Sequence, residues 1–341
     1  MKKLLLYIFL LAANAVHAQL LSWTPDFIQE SSTSTTITCN AAYGNKGLFG
    51  YTPVSDVYVH IGAITTKSSS SSDWKYVKFP SFNSPNAAAL CSSLGNNQWS
   101  FTITGNLRSF YGISDPNEKI LKISILFRNG NGTKVLRNLD QSDMYIPVYD
   151  NGVYARIDEP YTQPTFVSAL QPLSKVVGDA INISAKGSVT GTLKLFYNDL
   201  VNPIATSTSG SVSANTTIPN DQEQIIIAEL DNGSTIDRDT VRFTPLRNLV
   251  AELPEGSNDG INYEAGGTSA VLVLYAPNKS YAFLTGEFNN WTTSPDYQMN
   301  RTPDGKRYWI RVSGLNPGQE YGYQYIVDGA LKIADPYCEK V

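Results

Sequence analysis

The clearest signal of the fold lies in residues 281–291, Tyr-Ala-Phe-Leu-Thr-Gly-Glu-Phe-Asn-Asn-Trp, together with residues 307–312, Arg-Tyr-Trp-Ile-Arg-Val, and residues 320–329, Glu-Tyr-Gly-Tyr-Gln-Tyr-Ile-Val-Asp-Gly. These short runs alternate in polarity and are followed by turn residues, which is typical of half-buried strands. The sequence therefore predicts an antiparallel sandwich in this part of the chain.

Further strand-like runs lie upstream, separated by turn signals such as Gly130-Asn131-Gly132. They are Thr35–Cys39, Val57–Ile61, Lys75–Phe79, Trp99–Thr104, Leu121–Phe127, Met144–Val148, Ala180–Ser184, Thr192–Tyr197, Gln224–Leu230 and Asp239–Phe243. No long stretch after residue 18 has the 3.6-residue period of a helix. We therefore predict an all-β protein of three tandem antiparallel β-sandwich, immunoglobulin-like domains.

The predicted domain boundaries follow turn-rich and proline-containing segments, among them Asp158–Pro164. The domains are residues 19–155, 156–246 and 247–341.

Residues 1–18 are predicted to be a secretory signal. A pair of lysines precedes the apolar run Leu4–Ala13, and Val16-His17-Ala18 provides a small-residue cleavage site. The apolar run is too short to span a membrane, and no later stretch reaches eighteen apolar residues. We expect an exported protein, secreted or held at the cell surface or in the periplasm, with no membrane insertion.

Charge argues against nucleic acid as a partner. Removal of Lys2 and Lys3 takes the 26 basic residues to 24, against 30 acidic ones, so the formal charge is −6. An acidic chain of this kind repels phosphate backbones and anionic lipid.

The three cysteines permit at most one disulfide within the chain. A bridge between Cys39 and Cys91 is possible, but the sequence does not give their separation. No Cys/His cluster has zinc spacing and no twelve-residue EF-hand loop is present, so we expect neither a metal nor another cofactor.

The order Gly-x-Phe-Asn-x-Trp, then a strand, then a strand ending in Val-Asp-Gly, then Asp-Pro resembles the isoamylase-type α-glucan-binding module over about residues 258–338. In isoamylases, branching enzymes and relatives this module precedes the catalytic barrel. The segments Leu253–Gly256 and Asp259–Tyr263 also resemble the lead-in of secreted α-amylase-like enzymes of the Bacteroidetes type.

The resemblance assigns roles to individual residues. Trp291 matches the first stacking tryptophan of the module, and Gln324 stands where binding members carry a lysine. Leu331 replaces the second stacking tryptophan, which removes one platform. Sugar contact and packing both stay open for Trp291, whereas Trp309 is expected to be structural.

The first segment resembles, by pattern alone, the small starch-binding sandwiches attached to amylases. His60 and Trp74 would form a sugar platform there, with Lys75 as a hydroxyl donor and Trp99 as a second platform. Each has a structural alternative: a hydrogen-bonded strand histidine, a packed tryptophan, a solvated lysine and a core tryptophan. Trp74 is the preferred candidate of the four.

We expect no catalysis from residues 19–341. The acidic residues mostly lie in turns beside Gly, Asn or Pro, His60 is the one histidine after residue 18, and no Gly-x-Ser-x-Gly elbow occurs. The favoured hypothesis is an α-1,4-glucan-recognising region of a secreted α-amylase-family glycoside hydrolase, with its barrel downstream in cis. The alternatives are a stand-alone surface glycan-binding protein and a purely structural stalk.

Overall fold

The structure is a computed structural model that describes residues 19–170 and 173–338. The predicted signal at residues 1–18 lies outside these ranges. Every ladder between the strands of the described chain is antiparallel, and the one α-helix in these ranges is five residues long. The predicted all-β fold of tandem sandwiches is confirmed.

The first sandwich packs a β1-β2-β5-β4 sheet against a β3-β6-β7 sheet to which β8 adds by pairing with β6. Its elements are β1 (Leu21–Thr24), β2 (Ser34–Asn40), β3 (Val57–Thr65), a 3-10 turn (Ala87–Ala89), β4 (Ser92–Gly95), β5 (Gln98–Thr104), α1 (Leu107–Tyr111), β6 (Ile120–Asn129), β7 (Val135–Leu136) and β8 (Met144–Pro147).

The second sandwich packs a β15-β12-β9 sheet against a β14-β13-β16-β17 sheet, and a β10-β11 pair lies beside them. Its strands are β9 (Ala155–Glu159), β10 (Thr162–Gln163), β11 (Ala169–Leu170), β12 (Ala180–Gly187), β13 (Thr192–Tyr197), β14 (Ala205–Ser207), β15 (Ser211–Thr217), β16 (Gln224–Asp231) and β17 (Ile236–Phe243).

The third sandwich packs a β18-β19-β22-β21 sheet against a β20-β23-β24 sheet. Its elements are β18 (Gly260–Tyr263), β19 (Ser269–Tyr275), β20 (Ala282–Gly286), 3-10 turns (Glu287–Asn289 and Pro295–Tyr297), β21 (Asn300–Arg301), β22 (Arg307–Ser313), β23 (Tyr323–Val327) and β24 (Leu331–Ile333).

Each strand turns every second side chain inward, and the inward side chains of each sandwich form a separate hydrophobic core. In β2, for example, Ile37 and Cys39 are buried while Thr36, Thr38 and Asn40 point away from the core. The second core is centred on strands β12, β13 and β16, and the third on β19, β20, β22 and β23.

One predicted strand, Lys75–Phe79, is wrong. The structure reduces it to a single bridge, in which the backbones of Ala63 and Lys75 exchange hydrogen bonds of 2.8 and 2.9 Å. Tyr76 then adopts a left-handed backbone with φ 53°, which ends the extended run. The segment after β3 therefore lies across the sheet as an irregular loop.

Polar contacts connect neighbouring sandwiches. Arg156 on β9 donates to the backbone oxygen of Asp26 in the first sandwich, and Lys186 forms a 2.7 Å ion pair with the Asp26 carboxylate. Between the second and third sandwiches, the Arg247 backbone exchanges hydrogen bonds of 2.8 and 2.6 Å with the Gln298 amide. Both junctions thus have defined partners rather than open linkers.

Truncation of Leu195, which has no exposed surface in the second core, should destabilise that sandwich alone. We expect Leu195→Ala to reduce its free energy of unfolding by about 2–5 kcal/mol, because the lost burial leaves a cavity. Hydrogen exchange measured by mass spectrometry should show faster exchange in residues 155–243 and unchanged exchange in the first and third sandwiches. Equal acceleration in all three would contradict three separate cores.

Candidate functional site

The loop after β20 holds a strained turn. Asn290 and Trp291 both have left-handed backbones, with φ of 52° and 58°. For a bulky residue such as tryptophan this conformation costs free energy and is kept only where the surroundings impose it. The Trp291 amide donates to the Gly286 carbonyl at 2.9 Å, which closes the turn.

Asn289 imposes this conformation. Its Oδ1 accepts from the Gly286 amide at 2.9 Å, and its Nδ2 donates to the Leu284 carbonyl at 3.1 Å. Phe288 supports the same turn by stacking on Tyr297, with ring centroids 5.5 Å apart. The residues of the Gly-x-Phe-Asn-x-Trp motif therefore hold one another in place and present Trp291 at the surface.

Trp291 is 48% exposed, although large aromatic side chains usually bury most of their surface. Its ring lies over Gly322, where an added Cβ would come within 3.3 Å of the ring atom Cζ2. The absence of a side chain at residue 322 is what lets the indole lie against the sheet. Gly322 is a part of this surface that the sequence analysis missed, although Glu-Tyr-Gly-Tyr-Gln shows a glycine in an otherwise strand-like run.

Gln324 faces the same side of the sheet. Its neighbours Tyr323 and Tyr325 turn inward, and both donate hydrogen bonds to Asp335, at 2.7 and 3.0 Å. Residues 322 and 324 share a face because strand side chains alternate. We call the surface made by Trp291, Gly322 and Gln324 the Trp291 face.

The Trp291 face continues along β23 towards the second sandwich. Ile326 and Lys332 pair across β23 and β24 and point the same way as Gln324. They border a cleft of about 370 Å³, whose opposite wall includes Phe243 and Pro245 of the second sandwich. An extended ligand that stacked on Trp291 would find further surface in this direction.

Two other residues of the third sandwich, Trp309 and Leu331, lie away from Trp291 in the sequence. Trp309 donates its indole N–H to the Ala251 carbonyl at 3.1 Å and is partly buried on β22. Leu331 is 44% exposed where β24 begins, paired with Val327.

In the first sandwich, His60 and Trp74 do come together. Their rings stack with centroids 5.6 Å apart and planes inclined by 26°. Trp74 is partly buried. Its indole N–H donates to the Tyr145 hydroxyl at 3.3 Å, and its ring packs on the hydrophobic core. It also lies against Gly62, where an added Cβ would come within 3.3 Å of the ring. One face of Trp74 is therefore used by the protein itself.

The loop that carries Trp74 is pinned over the sheet by Arg128. This side chain is fully buried, with its guanidinium 5.5 Å from the Tyr58 ring and 5.4 Å from the Phe82 ring. It donates to the carbonyls of Ser81 and Ser84, both at 3.0 Å. Cation–π contact and charge-assisted hydrogen bonds together hold the loop in place.

Lys75 and Trp99 have their polar partners outside the stacked pair. Lys75 forms a 2.8 Å ion pair with Asp73, two residues before it on the loop. Trp99 is 1% exposed in the core and donates its indole N–H to the Val54 carbonyl at 2.8 Å. With its ring faces covered, Trp99 has the core role that the sequence left as its alternative.

Cys39 and Cys91 are both buried in the first core and carry free thiols. Burial raises the pKa of each thiol well above its ordinary value, so neither is a reactive thiolate. Within residues 19–170 and 173–338, no group of three or more His, Cys, Asp or Glu side chains could hold a metal ion. The same residues contain no helix long and apolar enough to cross a bilayer.

Burial lowers the pKa of His60 from its ordinary value of 6.5, because the imidazolium is disfavoured beside Trp74 and Phe82. Below pH 6.5 the unfolded chain then binds this proton more readily than the folded chain, so stability falls as the pH drops. An NMR titration of the imidazole should give a pKa below 6.5. His60→Gln should flatten the fall in stability, whereas a pKa at or above 6.5 would contradict the stacked, buried ring.

The fold and the Trp291 face define a tandem β-sandwich protein with one strained, exposed tryptophan. No protein-family model and no curated protein sequence matches the chain. Among solved structures, a pullulanase of group B Streptococcus in complex with maltotetraose is similar at 16% identity and a TM-score of 0.19, over 48% of this chain and 22% of its own. This chain thus spans about a fifth of the length of that enzyme.

Two further structures are similar over more of the chain. PulA of Klebsiella oxytoca matches at 12% identity and a TM-score of 0.22, over 94% of this chain and 33% of its own. The central fibronectin-III array of RIM-binding protein matches at 11% identity and a TM-score of 0.24, over 93% and 96%. Likeness at this level assigns neither a family nor a function.

Proposed function

We propose that the chain recognises α-glucan through the Trp291 face. The observation that supports this most directly is Trp291 itself, 48% exposed on a left-handed backbone over Gly322 and beside Gln324. Strained backbone of this kind clusters at ligand-binding and active sites. A flat exposed indole offers a stacking surface to the apolar face of a glucose ring, and a neighbouring amide can both donate to and accept from its hydroxyls.

The assignment of an α-linked glucan rests on the resemblance of residues 258–338 to the isoamylase-type module. The expected catalytic barrel rests on the same resemblance. On this proposal, residues 19–155, 156–246 and 247–341 are three domains of an exported protein, and the third carries the primary glucan site. A catalytic barrel of the α-amylase family acts in cis. Binding of the polysaccharide would raise the substrate concentration near that barrel without adding any chemistry.

The first sandwich has a smaller role in this proposal. His60 and Trp74 stack on one another and Trp74 packs on the core, so little ring surface is left for a sugar. Lys75 is paired with Asp73 and Trp99 is buried. We assign these four residues to folding of the first sandwich and the binding role to Trp291 and Gln324.

Calorimetry of residues 19–341 with maltoheptaose, and with cellohexaose as the β-linked control, tests the proposal. Trp291→Ala should weaken maltoheptaose binding at least about tenfold, or about 1.4 kcal/mol, because the stacking platform is lost. Tyr275→Ala is the matched control, since Tyr275 is 47% exposed on the opposite sheet of the same sandwich. It should bind as the parent chain does.

Two results would overturn the proposal. One is the absence of heat with maltoheptaose. The other is loss of binding in Trp74→Ala while Trp291→Ala binds normally, which would move the site to the first sandwich.

Gln324→Ala should weaken maltoheptaose binding by about two- to twelvefold, the effect of one hydrogen bond of ~0.5–1.5 kcal/mol. Gln324→Lys should restore most of the affinity, because an ammonium group can donate to the same hydroxyl. Equal affinity in the parent chain and Gln324→Ala would show that the bound sugar does not reach β23.

A further inference from the structure

A second cleft lies between the first and second sandwiches, on residues other than those of the Trp291 face. Its volume is about 430 Å³. It lies between the outward face of strands β1, β2 and β5 in the first sandwich and strands β9 and β12 in the second. Small-molecule sites commonly occupy ~300–1,000 Å³ at such domain interfaces.

Apart from Asp26, the wall from the first sandwich is uncharged and polar. Ser22, Thr38, Asn40 and Gln98 all line the cleft. They point outward because the residues that alternate with them, such as Cys39 and Trp99, are buried in the core. Each hydroxyl and amide can both donate and accept a hydrogen bond. This wall suits a ligand with many hydroxyl groups.

The opposite wall is charged, and its charges are paired, in part with Asp26 of the first sandwich. Arg156 Nε is 2.8 Å from an Asp158 carboxylate oxygen, and Lys186 Nζ is 2.7 Å from Asp26 Oδ1. Two cations thus face two carboxylates and their charges cancel. A charged ligand would have to break one of these pairs, whereas a neutral polyol can add hydrogen bonds at their outer edges.

The charged wall is held in one conformation. The Arg156 guanidinium lies between two aromatic rings, 5.4 Å from Trp23 and 5.2 Å from Phe27. Trp23 in turn donates its indole N–H to the Asp26 carbonyl at 3.2 Å. Trp23 is also among the residues that line the cleft, next to Ser22, and its ring packs on the hydrophobic core of the first sandwich. Because these groups are fixed before any ligand arrives, little ordering is needed on binding.

We propose that this cleft is a second binding site, for a neutral sugar of one or two residues. The sugar would hydrogen-bond to Gln98, Asn40 and the hydroxyls of the first sandwich. Its walls come from both sandwiches, so a bound sugar would also fix their relative orientation. This site uses no residue of the Trp291 face and stands independently of it.

Fluorine NMR of residues 19–341 labelled with 5-fluorotryptophan tests the site directly. The chain has five tryptophans, and single Trp→Phe variants assign their resonances. Maltose, cellobiose and lactose serve as probes at up to about 10 mM, ten times a dissociation constant of ~1 mM. At least one of them should shift the Trp23 resonance saturably.

Three variants make the result specific to the cleft. Ser22→Phe should abolish the Trp23 shift by filling the cleft, and Gln98→Ala should weaken binding by about three- to tenfold. Thr104→Ala is the control, since Thr104 is exposed on the same outward face at the far end of β5. It should leave the titration unchanged.

The site is overturned if none of the three sugars moves the Trp23 resonance, or if the shift survives unchanged in Ser22→Phe. A maltose-dependent shift of Trp291 alone would support the proposed glucan site and overturn this one. A shift of Trp23 alone would support the cleft and leave the Trp291 face without maltose binding.

Discussion

A strand can turn only every second side chain into its core, so the other face of its sheet must be covered or made polar. The chain meets this constraint in three ways. The loop that carries Trp74 covers one face, and Arg128 holds it there. Hydroxyl and amide side chains on β2 and β5, such as Thr36 and Gln98, make a second face polar. On the third sandwich, Trp291 lies on the sheet over a glycine.

The two proposed sites follow from what those outward faces carry. An exposed aromatic ring stacks but gives no directional contact, so the Trp291 face needs Gln324 beside it. Hydroxyls and amides on a flat sheet give direction but no enclosure, so the polar face binds only where the second sandwich closes over it. Arg156 makes that closure specific, because the same guanidinium packs on Trp23 and Phe27 and pairs with Asp26 and Asp158.

The sequence predicts most of the fold because alternation is a local signal. Thr192–Tyr197 was predicted with its observed bounds, and the strands around Ile37, Ile61 and Ile125 were found within a few residues. Lys75–Phe79 failed because a single left-handed residue, Tyr76, ended a run whose alternation looked regular. The sequence predicts that His60 and Trp74 come together, but it leaves both sugar contact and packing open for Trp74, and the structure shows the ring packed on the core. The cleft at Arg156 was missed altogether, since it joins residues more than a hundred positions apart and no local pattern reports such a distance.

Alkylation of the two buried thiols depends on the opening of the first sandwich. Cys39 and Cys91 lie in the core of the first sandwich, where burial suppresses the thiolate that alkylating reagents attack. Each becomes reactive only when that sandwich opens and admits water. The rate at which they are alkylated therefore reports the opening of one sandwich among three, without any engineered label. Cys39 and Cys91 are therefore natural probes of the unfolding of the first sandwich.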